Sequence, residues 1–260
     1  MVSPRRRIFL GGVVGVVVIA VAVVFGVRLL SDDHDTGARP DQARPGTVLL
    51  VPGYGGSRVA LSGLAARLEA AGRTARVLVL PGEGTGDLTV QADTLDAAVQ
   101  QALRDGAGSV DIIGYSAGGV VTRLWVDRHD GARVARRIVT LGSPLHGARI
   151  AGVGAALAPD ACPQACRQLA PGSAVLRGLD EPLPDGLPWL SVWTENDETV
   201  QPPDSARLAG AINVPLQGIC PSARVSHGDL PTDPQVTALV VRALGAEPLT
   251  APTACPGGPG

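Results

Sequence analysis

Val110-Asp111-Ile112-Ile113-Gly114-Tyr115-Ser116-Ala117-Gly118-Gly119-Val120-Val121-Thr122-Arg123-Leu124-Trp125 is the stretch that decides the fold. Val110 to Tyr115 reads as a strand of the mostly apolar kind that is buried on both faces of a parallel sheet. Gly118 to Asp127 reads as a helix. Between them, Gly114 to Gly118 fits Gly-x-Ser-x-Gly. That pattern puts a serine on a sharp, strained turn where a strand hands over to a helix, with small neighbours so that the backbones can approach. A Gly-rich turn without chemistry would carry the same five residues. The strand before it and the helix after it stand in the order a nucleophile requires, so Ser116 is the candidate nucleophile.

Outward from this stretch, strand and helix patterns alternate. Thr47–Val51 is an apolar run ended by Pro52-Gly53, and Ala75–Leu80 is another, ended by Pro81-Gly82. Further strands are predicted over Val134–Leu141, Trp189–Thr194 and Ile212–Leu216. Helical spacing recurs over Leu61–Ala71, Leu88–Leu103 and Val236–Leu244. Apolar strands separated by helices imply the α/β class, a mostly parallel sheet with helices on both faces. Such sheets place ligands at the carboxyl ends of their strands.

A serine hydroxyl at neutral pH is a weak nucleophile and needs a base. His34 falls in a polar linker, His129 ends the helix after the serine, His146 sits in Gly142-Ser-Pro-Leu-His-Gly147, and His227 in Val225-Ser-His-Gly-Asp-Leu230. With a serine on such an elbow, the acid and then the histidine follow in chain order. Only His227 leaves room for an acid after a further strand, so it is the candidate base. Its partner is sought after Trp189–Thr194, where Glu195, Asp197 and Glu198 are available. Asp197 is preferred, with Glu195 second, because Asp197-x-x-Val200 followed by Pro suits a loop leading to the next element. A solvated acidic loop would look similar. The developing oxyanion needs two backbone N–H donors. Ala117 supplies one, and Tyr54, between the glycines of Pro52-Gly-Tyr-Gly-Gly-Ser57, is the candidate for the other.

Taken together, these residues resemble the α/β-hydrolase superfamily, in the group of bacterial secreted lipases and esterases that includes small Bacillus-type (class 2 triacylglycerol) lipases. The matching segments are Val51-Pro-Gly-Tyr-Gly-Gly56, Gly114-Tyr-Ser-Ala-Gly-Gly119, Leu141-Gly-Ser-Pro-Leu-His-Gly147, Pro171-Gly-Ser-Ala-Val-Leu176, Asp197 with Val200 and Pro202, and Ser226-His-Gly228. The resemblance implies the α/β-hydrolase fold and hydrolysis of carboxylic esters of small molecules or lipids, without metal or other cofactor. It implies Ser116, Asp197 and His227 as a triad and Tyr54 and Ala117 as oxyanion donors. It treats the segment around His146 as structural. Relatives commonly have His-Gly where this chain has Pro52-Gly53, but a backbone donor beyond that position is unaffected. Acyl transfer and thioester hydrolysis use the same triad and are the rival readings. A noncatalytic tethered binding protein on the same fold is the rival of another class.

The remaining features place the protein outside the cytoplasm. Arg5, Arg6 and Arg7 precede an apolar run from Ile8 to Val27, about 30 Å long as a helix. The arginines predict a cytoplasmic N-terminus and export of the rest. The run is read as a transmembrane signal anchor over residues 1–30, followed by a linker over 31–46 and a catalytic domain over 47–260. The alternatives are cleavage near Ala20-Val-Ala22 and a twin-arginine signal at Arg6-Arg7-Ile-Phe-Leu10. Four cysteines, Cys162, Cys166, Cys220 and Cys255, agree with an oxidising compartment. Of three possible pairings, sequence order favours Cys162–Cys166 and Cys220–Cys255. No His or Cys cluster has the spacing of a zinc site. A net charge of −2 gives no support for a nucleic-acid partner.

Between Gly147 and Pro188 lies a long excursion between strands. It is read as a partial cap that lines the acyl pocket, braced by the local disulfide. Ala151–Ala158 is expected to be flexible, because Gly152 and Gly154 interrupt it and Pro159 ends it. A full hinged lid is therefore not expected.

Overall fold

The computed structural model describes residues 39–257. The N-terminal apolar run expected to span a membrane lies outside the described residues. Among the described residues no helix is long and apolar enough to cross a membrane.

The chain runs β1 (Thr47–Val51), α1 (Val59–Ala70), β2 (Ala75–Val77), α2 (Leu88–Arg104), β3 (Val110–Tyr115), α3 (Ala117–Arg128), β4 (Ala135–Leu141), α4 (Arg149–Leu157), α5 (Gln164–Gln168), α6 (Ala174–Arg177), β5 (Trp189–Trp193), β6 (Ile212–Pro215), α7 (Leu216–Ile219) and α8 (Pro234–Ala243). The strands form one sheet in the order β2-β1-β3-β4-β5-β6. Every pairing in it is parallel. The expected parallel sheet with helices is therefore present. Strand β2 is shorter than the apolar run that predicts it. Leu78 N–H still donates to Leu50 O at 2.9 Å, but Val79 is exposed where the chain bends away toward Pro81.

Strand alternation builds two cores, one on each face. Val48 and Leu50 of β1 pack with Leu61, Leu64 and Leu68 of α1 and with Val236, Leu239 and Val240 of α8. Leu49 and Val51 point the other way, toward Leu88, Leu95 and Val99 of α2 and Val120, Val121 and Leu124 of α3. Each fully buried side chain of this size contributes roughly 1.5–3 kcal/mol relative to exposure. Helix starts are capped where the sequence provides carboxylates. Asp87 accepts from Thr89 N–H, and Asp233 accepts from Gln235 and Val236 N–H.

The amino edge of the sheet is held by charge. Arg136 at the start of β4 is fully buried and donates from Nε and Nη2 to Asp111 of β3 at 2.9 and 2.7 Å. Arg73 meets the same carboxylate at 2.5 Å. Surplus guanidinium hydrogens go to backbone carbonyls. Arg136 reaches Leu244 O and Gly245 O, and Arg137 reaches Ala243 O and Glu247 O. These carbonyls are at and just beyond the C-terminus of α8, where unpaired C=O groups attract cations. Burial pushes the Arg137 pKa down, and the neighbouring Arg136 adds to that shift.

Residues 39–46, assigned to the linker from sequence, contain no helix or strand but are tied to the domain. Arg136 Nη1 donates to Gln42 O at 2.9 Å, and Arg39 Nη1 donates to Ala132 O at 2.8 Å. Cys162–Cys166 and Cys220–Cys255 are bonded, as sequence order favours. Both bonds fit a secreted or extracellular protein. The second closes a 35-residue separation, and the chain-entropy model gives such a loop about 4 kcal/mol.

Two outcomes check this architecture. Asp111→Ala strands two guanidinium groups at a buried position, so urea unfolding should show a loss of about 3–5 kcal/mol. A change near the ~0.5 kcal/mol of an ordinary surface site would mean that Asp111 does not hold the edge together. Mass mapping without reduction should recover both disulfides, and a Cys220–Cys166 peptide would contradict the pairing.

Candidate functional site

Strand order reverses between β1 and β3, since the chain leaves β1 for β2 on one side and returns to β3 on the other. Loops leaving the carboxyl ends of these two strands diverge and open a crevice. Ser116 stands in it, at the junction of β3 and α3, with φ 52° and ψ −127°. A non-glycine residue held there costs of order 1–3 kcal/mol. The turn is stabilised by Ser116 N–H to Leu141 O at 2.8 Å and Gly119 N–H to Ser116 O at 3.0 Å. Two glycines are required by space. A Cβ on Gly118 would lie 2.2 Å from Val51 O, and one on Gly114 would lie 2.6 Å from Gly119 Cα.

The structure brings three of the sequence candidates into one hydrogen-bonded chain. His227 Nε2 is 3.0 Å from Ser116 Oγ, and His227 Nδ1 is 2.6 Å from Asp197 Oδ2. An ionised carboxylate only accepts, so Nδ1 carries the proton and Nε2 is left to accept from the serine. His227 and Asp197 are both buried. Asp197 is fixed by its own turn, with Oδ1 accepting from Thr199 N–H at 2.9 Å and Val200 N–H at 2.7 Å. Thr194 Oγ1 donates to Val225 O at 2.7 Å, joining the loop that carries the acid to the loop that carries the histidine.

Tyr54 and Ala117 line the same cavity as Ser116, with a volume of about 270 Å³. Gly53 brings the Tyr54 loop close, since a Cβ there would be 2.9 Å from Ser116 Cβ. The other walls are apolar, from Pro144, Ala148, Ile150, Ala151, Leu169 and Val200. Among the described residues no group of three or more His, Cys, Asp and Glu is placed to hold a metal ion.

The other candidates lie elsewhere. His146 Nδ1 faces Ser205 O at 3.1 Å. His129 joins Asp93 at 2.8 Å on the surface of the α2–α3 pair. Glu195 is exposed. Glu198, the third acidic candidate, meets the main chain of His227 and not its ring, and Tyr115 is a neighbour of His227 that the sequence does not single out. Tyr115 OH donates to His227 O at 3.2 Å, with ring centroids 5.3 Å apart. Glu198 accepts His227 N–H at 3.2 Å. Tyr115 occupies the variable position of the Gly-x-Ser-x-Gly pattern, so adjacency to Ser116 was the available signal.

The segment expected to be flexible is in fact helix α4. It begins at Arg149, two residues before that segment, because Ala148 N–H is held by Leu169 O at 3.0 Å and Arg149 N–H by Gln201 O at 2.8 Å. Its small side is turned inward at Ala148 and Ala151, while Ile150, Val153 and Leu157 are 66%, 50% and 81% exposed. Helix α5 is latched to the start of α2. Asp87 accepts from Gln164 Nε2 at 2.7 Å and Gln168 Nε2 at 2.8 Å, and Leu88 N–H donates to Gln168 Oε1 at 2.8 Å. Burial opposes ionisation of Asp87, but the hydrogen bonds from Gln168, Thr89 and Gln164 outweigh it and hold the pKa below the usual value.

Burial, followed by the Asp197, Glu198 and Asp229 carboxylates, pushes the Tyr115 phenol up to about 12. Stability that depends on the neutral phenol is therefore complete below the unfolded value near 10 and lost as pH rises through 12. The chain has two tyrosines. In a Tyr54→Phe protein, phenolate absorbance should rise with a midpoint near 12. A midpoint near 10 would show that Tyr115 is not enclosed beside these carboxylates.

No protein-family model matches the chain, and no curated protein matches it in sequence. Solved structures do. Bacillus licheniformis lipase BlEst2 in its propeptide form is 18% identical, with a TM-score of 0.66 over 82% of this chain and 52% of that one. Aspergillus fumigatus lipase B is 21% identical, with a TM-score of 0.64 over 77% of this chain and 52% of that one. The chain thus spans about half the length of these two lipases. An alpha/beta hydrolase from the metagenome of Mar Chica lagoon sediments is 17% identical, with a TM-score of 0.51 over 76% and 89% of the two chains. With a parallel sheet, a serine elbow after its central strand and these structural neighbours, the chain has the α/β-hydrolase fold.

Proposed function

We propose that this protein is a serine hydrolase of carboxylic esters that works through an acyl-enzyme on Ser116. The observation that carries this reading is the hydrogen-bonded chain from Ser116 Oγ through His227 to the buried Asp197. Ser116 Oγ attacks the ester carbonyl while His227 Nε2 takes its proton. The Tyr54 and Ala117 N–H groups receive the oxyanion. Asp197 holds the imidazole in the Nδ1–H tautomer and stabilises its charged form. Collapse of the tetrahedral intermediate expels the alcohol, which takes the proton from His227. Water then attacks the acyl-enzyme by the same steps in reverse. The lipases among the structural neighbours support ester chemistry. The apolar walls suit an acyl chain, and a volume of about 270 Å³ sits below the ~300 Å³ at which ordinary small-molecule pockets begin. That favours short- to medium-chain esters. The apolar run Ile8–Val27 supports tethering of the enzyme to a membrane with the hydrolase domain outside.

Ser116→Ala and His227→Ala should each lower kcat/KM for a p-nitrophenyl ester by about 10⁴-fold or more, and the double variant by little more than either. Asp197→Asn should be severe but milder. Substantial turnover by a folded Ser116→Ala protein, or a dead His146→Ala beside an active His227→Ala, would sink the mechanism.

Ser116 is already partly exposed, so no lid has to open before a dissolved ester reaches it. Initial rate against concentration for a sparingly soluble ester should pass the solubility limit smoothly. An abrupt rise at that point would show that α4 moves as a lid.

A further inference from the structure

Cys166 has two positions at once in this fold. It lines the cavity beside Ser116, and it is bonded to Cys162. Helix α4 and its N-cap contribute Ala148, Ile150 and Ala151 to the same cavity, and the residues on the side of the helix turned inward are small and at helical spacing. Ala148 and Ala151 face the cavity. One turn further on, a Cβ at Gly154 would lie 3.3 Å from Cys166 Sγ and 3.6 Å from Cys162 Sγ. The second half of α4 therefore rests directly on the disulfide, at backbone distance, with no side chain between.

Little else holds that half. Hydrogen bonds from Ala148 and Arg149 fix the first turn, and Gly152 approaches Pro171 Cδ. Beyond them, Val153 and Leu157 point to solvent instead of into a core. A helix of nine residues does not hold itself in water. The disulfide, placed behind the helix and beside the cavity, is the rigid body against which it is seated.

We propose that the Cys162–Cys166 bond sets the acyl-chain length this site accepts, by forming the closed end of the cavity and fixing α4 over it. The inference rests on the reading of Ser116 as an ester-cleaving nucleophile, and it adds which residues determine specificity. With the bond intact, chains that outgrow the cavity are excluded. With it broken, the second half of α4 moves outward, the end wall retreats, and additional methylenes enter. Each methylene newly buried in the transition state is worth about fourfold in kcat/KM. Short esters, which never reach the end wall, are unaffected.

The test compares wild type, Cys162→Ala, the double variant Cys162→Ser/Cys166→Ser and the control Cys220→Ser/Cys255→Ser. Each is assayed with p-nitrophenyl esters from acetate to decanoate. The expected result is an unchanged kcat/KM for acetate and butyrate in Cys162→Ala, which leaves the Cys166 wall in place, and a shifted chain-length preference in both cap variants. Their octanoate-to-butyrate ratio should rise at least about fourfold, carried by a lower KM for the long ester, while the control keeps the wild-type ratio. Cys162→Ala keeps the wall atom of Cys166 and loses only the bond, so it separates bracing from bulk. Titrating wild type with a phosphine reductant repeats the experiment without mutation, using the butyrate rate as the report of an intact fold. A ratio that stays at the wild-type value, or long- and short-ester rates that decline together, overturns the proposal. Wild type that turns over no ester in a Ser116-dependent way instead overturns the functional reading beneath it.

Discussion

The close approach of α3 to β1 governs everything at the carboxyl edge of the sheet. Gly118 sits so near the Val51 carbonyl that no side chain fits between them, and that contact decides where the helix can begin. Given its position, β3 has no room for a relaxed connection and must turn within one residue. Ser116 takes the strained backbone, tied by Leu141 O on the neighbouring strand. Ala117, the first residue of the helix, then lines the crevice, where the positive end of the helix favours negative charge. A strain of roughly 1–3 kcal/mol is small beside the burial of the β1–β3–α3 core, so the surrounding packing outweighs it.

The two edges of the sheet divide the work differently. At the amino edge, Arg73, Arg136, Arg137 and Asp111 are fixed by charge and by backbone carbonyls. At the carboxyl edge the groups come from separate loops, and their alignment depends on local turns. Asp197 is held by two amides of its own loop, and His227 by Tyr115 and Glu198 through its main chain. Anchoring His227 by its backbone leaves both ring nitrogens for Asp197 and Ser116. A rigid base thus carries a set of short, individually braced loops, the arrangement expected where geometry must be kept without burying the groups beyond reach of a substrate.

The parts of the fold legible in the sequence are those that backbone geometry dictates. The Gly114–Gly118 pattern is readable because its turn excludes side chains, and parallel strands are readable as apolar runs. His227 follows from chain order, since His146 precedes any strand that could present an acid. Helix α4 was missed because its inward residues are Ala and Gly and its large residues face out. The usual contrast of a polar and an apolar face is absent, and the hydrogen bonds that start the helix are accepted 21 and 52 positions further along the sequence, by Leu169 and Gln201. The docking of residues 39–46 was missed for a related reason. Their partners are the buried Arg136 and the carbonyl of Ala132, and no local periodicity reports a contact supplied wholly by the other side. The Tyr115 and Glu198 contacts with His227 are likewise long-range and leave no spacing behind.

Arg136 donates from one guanidinium to Gln42 O and to Gly245 O. The point where the chain joins the domain and the point where it leaves the last helix are therefore separated by no more than the span of one side chain. From Gln42 to Gly245 the chain is almost a closed ring, with its seam at the edge of the sheet remote from Ser116, and the segment beyond Gly245 runs on from that seam to its disulfide at Cys255. A short peptide bridge across that seam would let the polypeptide be reopened at a surface loop elsewhere, so that a circularly permuted chain could keep the same interior. The order in which the helices and strands are synthesised is then a separate property from the arrangement they reach.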